Sequence, residues 1–251
     1  MEDSQEYKKK KAFFASLITL YGRNSVIEVL EDEDVSIHKL HLCKSNREEG
    51  VIAKMIQLAT HRGVQIAYHD KNGLSRISKN AKQDQGVAID IVAKNYNDAN
   101  DLLSDSASSS RFLALDSIHN PQNLGMIIRS AAAGNIDGII LPKKNSAKLS
   151  PLVMKASAGT LFKIPIYYCD TLEAILPKLQ EYKIYQLSSH ASNNIYSNNL
   201  GDKTIFVLGN ESEGVSQSVA RHCPNTLTIP MQRGVESLNV AITAALIAFM
   251  P

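Results

Sequence analysis

The chain has 251 residues, of which 44% are apolar and 21% charged, and 27 Lys and Arg against 25 Asp and Glu leave a formal net charge of +2. That is enough chain for one large domain or two small ones with a real core, and it excludes wholesale disorder, a collagen-like repeat and a multispanning membrane protein. A balance this near neutral carries no argument about nucleic acid in bulk; any basic patch has to be built by folding.

Three scattered cysteines, Cys43, Cys169 and Cys223, argue against a disulfide framework and a Cys-rich zinc site, and suit a reducing cytoplasm. The opening MEDSQEYKKKK has no apolar core and is no secretory signal. Its Lys8–Lys11 run reads as a solvated helix start or a tail that touches nucleic acid. No apolar run reaches the ~18 residues of a transmembrane helix, so no membrane partner is expected.

In chain order, GRNSVIEVLE has helical spacing, and IHKLHLC alternates as a strand carrying His38 and His41. REEGVIAKMIQLATHRG reads as an amphipathic helix closed near Gly63. VQIAYH and GVAIDIVA read as two further strands, with His61 and His69 as exposed polar residues. Residues 1–94 are thus expected to form a small α/β domain. Residues 95–110, NYNDANDLLSDSASSS, are rich in Asn, Asp and Ser and read as a linker. From 111 to 251, FLALDSI, GIIL, KIPIYYC, KIYQLSS, TIFVLGN and TLTIP read as buried strands. NLGMIIRSAAAG, PLVMKASAG, LEAILPKLQEY, VSQSVARHC and ESLNVAITAALIAFM read as helices between and after them. This order implies an α/β fold with a mostly parallel sheet, whose ligands bind outside the carboxyl ends of the strands.

Three segments at those ends carry unusual residues. Asn120-Pro121-Gln122-Asn123-Leu124-Gly125 opens a helix that holds Arg129 one to two turns in. Asn123 offers an amide donor and acceptor, Arg129 a planar fork for phosphate; a helix cap and a surface arginine remain open. Leu208-Gly209-Asn210-Glu211-Ser212-Glu213-Gly214 follows an apolar strand, and its two glycines permit close backbone approach. It is neither a dinucleotide fingerprint nor a P-loop, and a plain capped turn remains open. Ile229-Pro230-Met231-Gln232-Arg233-Gly234-Val235-Glu236-Ser237-Leu238-Asn239-Val240 turns into a helix expected to start near Ser237. Ser237 can be an N-cap, while Asn239 in the first turn of an apolar helix needs partners if buried. Neither a metal-ligand spacing nor a hydrolase motif is present, and no metal is expected.

Taken together, NPQNLGMIIRSAAAG, VLGNESEG and IPMQRGVESLNVA resemble, in order and separation, the three motifs of the SpoU (TrmH-like) branch of the SPOUT RNA 2′-O-ribose methyltransferases. The GRNSVIEVL…QGVAIDI stretch is similar to that family's small RNA-substrate-binding domain, found in bacterial large-subunit rRNA guanosine 2′-O-methyltransferases. The resemblance implies an α/β domain with a C-terminal trefoil knot behind the small RNA-binding domain. It implies S-adenosylmethionine as cofactor and a homodimer acting on RNA. The expected substrate is a guanosine of 23S-type rRNA; a tRNA substrate and a catalytically silent RNA-binding factor are the alternatives.

The resemblance also implies roles. Arg129 stands at the catalytic arginine. Because arginine scarcely loses its proton, it is expected to clamp the adjoining phosphate and polarise the 2′-hydroxyl rather than act as a base. Asn123, Glu211, Ser237 and Asn239 would build the pocket and orient ribose, Arg129 and cofactor. Gly209, Ile229 and Leu238 would give main-chain contacts to the adenosine, with Leu208, Asn210 and Met231 beside them. Some positions depart from the family pattern. Ser212 replaces a common Gly. Asp84 replaces a common His, which bears on RNA contact. Gln232-Arg233 replaces a small pair, and an end at Pro251 is expected to trim dimer contacts.

Overall fold

A computed structural model describes residues 17–33, 35–92, 96–189, 191–197 and 200–251; the Lys8–Lys11 run lies outside them. The chain separates into two compact units at 94/95, residues 149–151 counting with the first.

The first unit runs β1 (Leu17–Tyr21), α1 (Arg23–Glu31), β2 (Ile37–Cys43), α2 (Val51–His61), β3 (Gln65–His69), α3 (Lys71–Ser78) and β4 (Val87–Val92). Its sheet has the order β1-β4-β2-β3, parallel only between β2 and β3. Helix α2 buries Ile52, Met55 and Ala59, one apolar stripe of a 3.6-residue period. Gly63 follows it at φ +64, where a left-handed residue ends the helix. Arg62 donates from its guanidinium to the carbonyls of Val29, Leu30, Asp32 and Val35, satisfying the end of α1.

Two elements of this unit escape a pattern reading. Strand β1, LITLY, does not alternate. Helix α3, KNGLSRIS, buries only Leu74 and Ser78 and starts from an Asp70 cap that accepts the Gly73 N–H at 2.6 Å. Asp84, which stands where the family commonly has His, is held inside this unit. It is buried, accepting from Ser78 Oγ at 2.9 Å and from the Gly86 N–H at 3.0 Å, so it pins the turn before β4.

The second unit holds β5 (Tyr96–Asp98), β6 (Ser110–Leu115), α4 (Pro121–Ala133), β7 (Gly138–Pro142), α5 (Pro151–Ser157), β8 (Ile166–Cys169) and α6 (Leu172–Ile175). It continues with β9 (Lys183–Leu187), β10 (Lys203–Leu208), α7 (Gln217–Ala220), β11 (Asn225–Leu227) and α8 (Val240–Ala248). Seven strands pair in parallel in the order β11-β9-β10-β6-β7-β8-β5. The strands read as unbroken apolar runs because both faces are covered. From β6 the chain builds outward through β7 and β8, then crosses to β9 and returns to β10. The direction of winding therefore switches between β6 and β10, and ligand crevices open at the carboxyl ends of such a pair.

Residues 96–110 are built into the second unit, which corrects the linker expectation for them. Tyr96–Asp98 pairs with β8, and the following 3-10 turn (Ala99–Ser104) buries Ala99 and Leu102 in the same apolar cluster as Leu172, Ile175 and Leu176. The polar residues that suggest a linker are used as caps. Asp98 and Asp101 form a capping box, and Asp105 accepts from Ser110 Oγ at 3.0 Å and Tyr182 OH at 2.5 Å. Helix α6 is shorter than expected because Pro177 ends it in a 3-10 turn (Leu176–Lys178).

Cys43, Cys169 and Cys223 are free and buried; burial pushes the Cys169 and Cys223 thiols up to about 12, as packing groups. Among the described residues no helix is long and apolar enough to cross a membrane.

Helix α4 is wedged between neighbours. A Cβ on Gly125 would fall 2.5 Å from Ala156 Cβ and 2.6 Å from Val153 O. Gly125→Ala should therefore force α4 away from α5, costing about 1–3 kcal/mol. Calorimetric melting of the variant is expected to show Tm lower by about 2–12 °C; an unchanged Tm would refute this packing.

Candidate active site

Strand β10 ends at Leu208, and the loop after it is tied into a closed turn. The Asn210 N–H donates to Gly214 O at 3.0 Å and the Gly214 N–H to Asn210 O at 2.8 Å. Gly209 lies under that turn: a Cβ there would stand 2.0 Å from Gly214 C and 2.1 Å from Gly214 O. Gly214 has φ +69, so both glycines serve one turn, by different means.

The same loop is bolted to the end of β6. Asp116 is buried and accepts the Ser216 N–H at 2.7 Å and Ser117 Oγ at 3.1 Å. Asn210 Nδ2 donates to Ser117 O at 3.2 Å, and Ser117 itself takes φ +58. Nothing in the sequence singles out Asp116, since a lone Asp after an apolar strand reads as a cap. Its signal is a partner 100 residues away, which no local pattern contains.

A cleft of about 910 Å³ opens at these strand ends. Of the residues expected at the site, Leu208, Gly209, Asn210, Glu211, Ile229, Met231, Ser237 and Leu238 line it. Gln186 and Leu187 at the end of β9, Ser188 and Ser189 just after it, and Thr228 also line the wall. These last residues sit where KIYQLSS leaves its strand, and the rule that ligands bind at strand carboxyl ends would have found them.

At the rim, one line of hydrogen bonds joins the three unusual segments. The Ala241 N–H donates to Asn239 Oδ1 at 2.8 Å; Asn239 Nδ2 donates to Asn123 Oδ1 at 3.2 Å; Asn123 Nδ2 donates to Glu211 Oε1. Asn123 is buried near the start of α4, whose N-cap is Asn120, accepting the Gln122 N–H at 2.9 Å. Glu211 is exposed, with its second oxygen free to receive a donor. Helix α8 begins at Val240 with Asn239 as its N-cap, not near Ser237. Asn239 thus caps the helix with its oxygen and reaches across the site with its amide nitrogen, while Ser237 is an exposed cleft residue.

Arg129 is placed differently from the expectation. It lies on the exposed face of α4, is not among the residues that line the cleft and has no hydrogen-bond partner among the described residues. Met126, one turn before it on the same face, is 41% exposed, and helix α8 presents Ile242, Leu246 and Phe249 to solvent at helical spacing. Gln232 and Arg233 are exposed, with Arg233 at φ +57 before Gly234 at φ +74. No group of three or more metal-ligating side chains occurs among the described residues.

A parallel sheet with its winding switch, a cleft at the strand ends and a polar line joining three distant loops define an α/β domain with a ligand cleft, which follows a small α/β module in the chain. Residues 110–249 match the SpoU rRNA methylase family model, and residues 19–97 match the model for RNA 2′-O ribose methyltransferase substrate binding. The chain belongs to the SpoU rRNA methylase family. It is 29% identical over 230 residues, 91% of this chain and 92% of the other, to a 23S rRNA (guanosine-2′-O-)-methyltransferase of Neisseria meningitidis serogroup B. It is 31% identical over 233 residues, with the same coverage, to a putative TrmH family tRNA/rRNA methyltransferase of Bacillus subtilis. In fold it is similar to the SpoU methyltransferase AviRb of Streptomyces viridochromogenes in complex with its cofactor AdoMet. That match has a TM-score of 0.70 and 18% identity, and covers 98% of this chain and 91% of that one.

Proposed function

We propose that this protein transfers a methyl group from S-adenosylmethionine to a ribose 2′-hydroxyl of RNA, at a guanosine of 23S-type rRNA, in the cytoplasm. The observation that carries this reading is the line Glu211–Asn123–Asn239, which holds all three family segments around one cleft. Names of relatives over nine-tenths of the chain supply the substrate class.

The residues present fit the cofactor. About 910 Å³ is within the range of cofactor pockets. Gly209, Ile229 and Leu238 line the cleft and would offer main-chain groups to an adenine edge; the missing side chain at Gly209 admits the Gly214 turn. Leu208 and Met231 supply apolar wall and Asn210 a polar edge. When bound, the cofactor supplies a methyl already activated on a sulfonium centre. What the chain has to do is place the ribose hydroxyl and help its proton leave. Glu211 and Asn123 orient the ribose side, with Ser237 and Asn239 closing the rim. Arg129 holds the neighbouring phosphate through its fork and polarises the hydroxyl, and phosphate or water takes the proton.

Arg129 stands off the cleft of its own chain, and this supports a homodimer in which each chain serves the other's cleft. Ile242, Leu246 and Phe249, at 52, 37 and 63% exposure, form with Tyr196 an apolar face of the kind that marks an interface. Leu246→Glu should convert the dimer to monomer in sedimentation and remove transfer together with it. A monomeric wild type, or a dimeric variant, overturns that assembly.

We also read the end of the domain as the family's trefoil knot. The Thr228 N–H donates to Asn193 O and the Ile195 N–H to Thr228 O, which holds the chain leaving β11 against the β9–β10 connection. From there the chain returns to pack α8 on α4.

The test is direct. Purified protein, labelled cofactor and unmodified 23S-type rRNA should give label on ribose, with tRNA as the competing arm. Cofactor binding without ribose label on either RNA overturns the reading.

A further inference from the structure

Away from the cleft, the densest set of titratable groups lies in the first unit. Thr19 Oγ1 on β1 donates to Asp90 Oδ1 on β4 at 2.6 Å. Asp90 Oδ2 stands 3.0 Å from His41 Nε2 on β2, and His41 Nδ1 stands 3.0 Å from His69 Nε2 on β3. The sheet order is β1-β4-β2-β3, so a single line of hydrogen bonds crosses all four strands in spatial order. His41 is 6% exposed, deep enough that each of its nitrogens needs a partner. His69, expected to be a free surface residue, is instead the outer end of this line, half-buried on the edge strand.

The bonding settles the tautomers. A carboxylate only accepts, so His41 carries hydrogen on Nε2. A neutral His41 then accepts at Nδ1 from the His69 Nε2–H. His69 Nδ1 is left bare, with no partner among the described residues. A proton added at His69 Nδ1 breaks none of these bonds. A proton added at His41 Nδ1 displaces the His69 Nε2 hydrogen, and His69 must then carry hydrogen on Nδ1. Either route presents a new N–H at the outer nitrogen, backed through His41 by the Asp90 carboxylate.

The groups facing this end are Lys39 on β2, Lys44 just after β2, Asp70 just after β3 and His41 itself; His38 faces Asp90. Burial and then His41 hold His69 below the ordinary histidine value; Lys39 and Lys44 push the same way against Asp70. Burial opposes the ionised Asp90, but hydrogen bonds from His41 and Thr19 outweigh it and hold its carboxyl low. At neutral pH Asp90 is therefore charged and the His69 ring is held neutral. An anion seated between the two lysines and His69 would reverse the balance and draw a proton in.

We propose that His69 Nδ1, driven by the Thr19–Asp90–His41 line, is a proton-gated contact for a phosphodiester oxygen of the RNA substrate. This rests on the RNA-methyltransferase reading, and it adds a named contact in the substrate-binding unit. The sign follows from linkage: RNA raises the His69 pKa, so the complex holds more protons than the free partners. Binding then tightens as pH falls from about 8 toward 6, and part of a proton is taken up per complex.

The test uses the full chain and an unmodified 23S-type rRNA transcript. Calorimetry at one pH in two buffers of different ionisation enthalpy should show net proton uptake. His69→Gln should remove that uptake and weaken binding about 3–10-fold at pH 6, lowering the log–log salt slope by about 0.7–0.9. Asp90→Asn should reduce the uptake, and nitrogen-correlated NMR of the free wild type should find both rings protonated on Nε2. Uptake that persists in His69→Gln, or a His69 ring protonated on Nδ1 in free protein at neutral pH, overturns the proposal. Methyl transfer measured on the same preparation separates the two ideas. Transfer without proton uptake rejects only the gated contact, and uptake without transfer rejects only the enzymatic reading.

Discussion

Arg129→Ala is expected to lower methyl transfer by about 10³-fold, some 4 kcal/mol of transition-state stabilisation, while the Kd for S-adenosylmethionine moves less than about twofold. The split follows from position. Arg129 is exposed on α4, outside the cofactor-sized cleft, so its removal leaves cleft and fold intact. An exposed helix position without partners costs about 0.5 kcal/mol of stability at most. Arg129→Lys should rescue poorly, because a lysine point charge does not reproduce a fork that spans phosphate and hydroxyl. Mixing provides the sharper measurement. If Arg129 serves the cleft of the other chain, Arg129→Ala and Asn239→Ala homodimers are each inactive. Their heterodimers contain one intact site, and exchange restores about a quarter of wild-type activity. No recovery after verified exchange would place Arg129 in its own chain's site or outside the chemistry.

The parallel strands of the second unit are legible in the sequence because burial on both faces leaves unbroken apolar runs, as in Ile205–Leu208. The start of α4 is legible from Asn120-Pro121, a cap followed by a residue without an N–H. What stays hidden depends on partners far along the chain. The 95–110 stretch looks like a linker until β8 supplies a ladder for Tyr96–Asp98 and the core of the second unit takes in Ala99 and Leu102. Asn239 reads as a polar residue in the first turn of an apolar helix until its oxygen proves to be the cap and its nitrogen a bridge to Asn123. Asp116 and His69 carry no local signal at all, since each matters through a bond made across the sheet. The sequence also suggests an arginine near the cleft, where the fold of one chain leaves it on an outer face. That difference is itself an argument for assembly, because the neighbouring exposed residues on α4 and α8 are apolar.

Gly209→Ala is expected to raise the Kd for S-adenosylmethionine by about 100-fold or more, close to 3 kcal/mol, with most of the fold retained. A methyl group placed 2.0 Å from Gly214 C and 2.2 Å from Val215 N meets backbone, which cannot swing aside as a long side chain does. The turn closed by Asn210 and Gly214 has to open, losing two main-chain hydrogen bonds. Opening it also pulls on Ser216, whose N–H is held by the buried Asp116; that carboxylate would lose a partner it cannot replace from solvent. Gly214 is a useful control. It has φ +69, and a methyl group added there would meet nothing within 4 Å, so Gly214→Ala carries backbone strain alone, about 1–2 kcal/mol. Calorimetric titration of both variants should therefore rank Gly209→Ala well below Gly214→Ala in cofactor affinity. Equal affinities, or a Gly209→Ala protein that binds like wild type, would show that the close approach of these two strands of backbone does not shape the cofactor site.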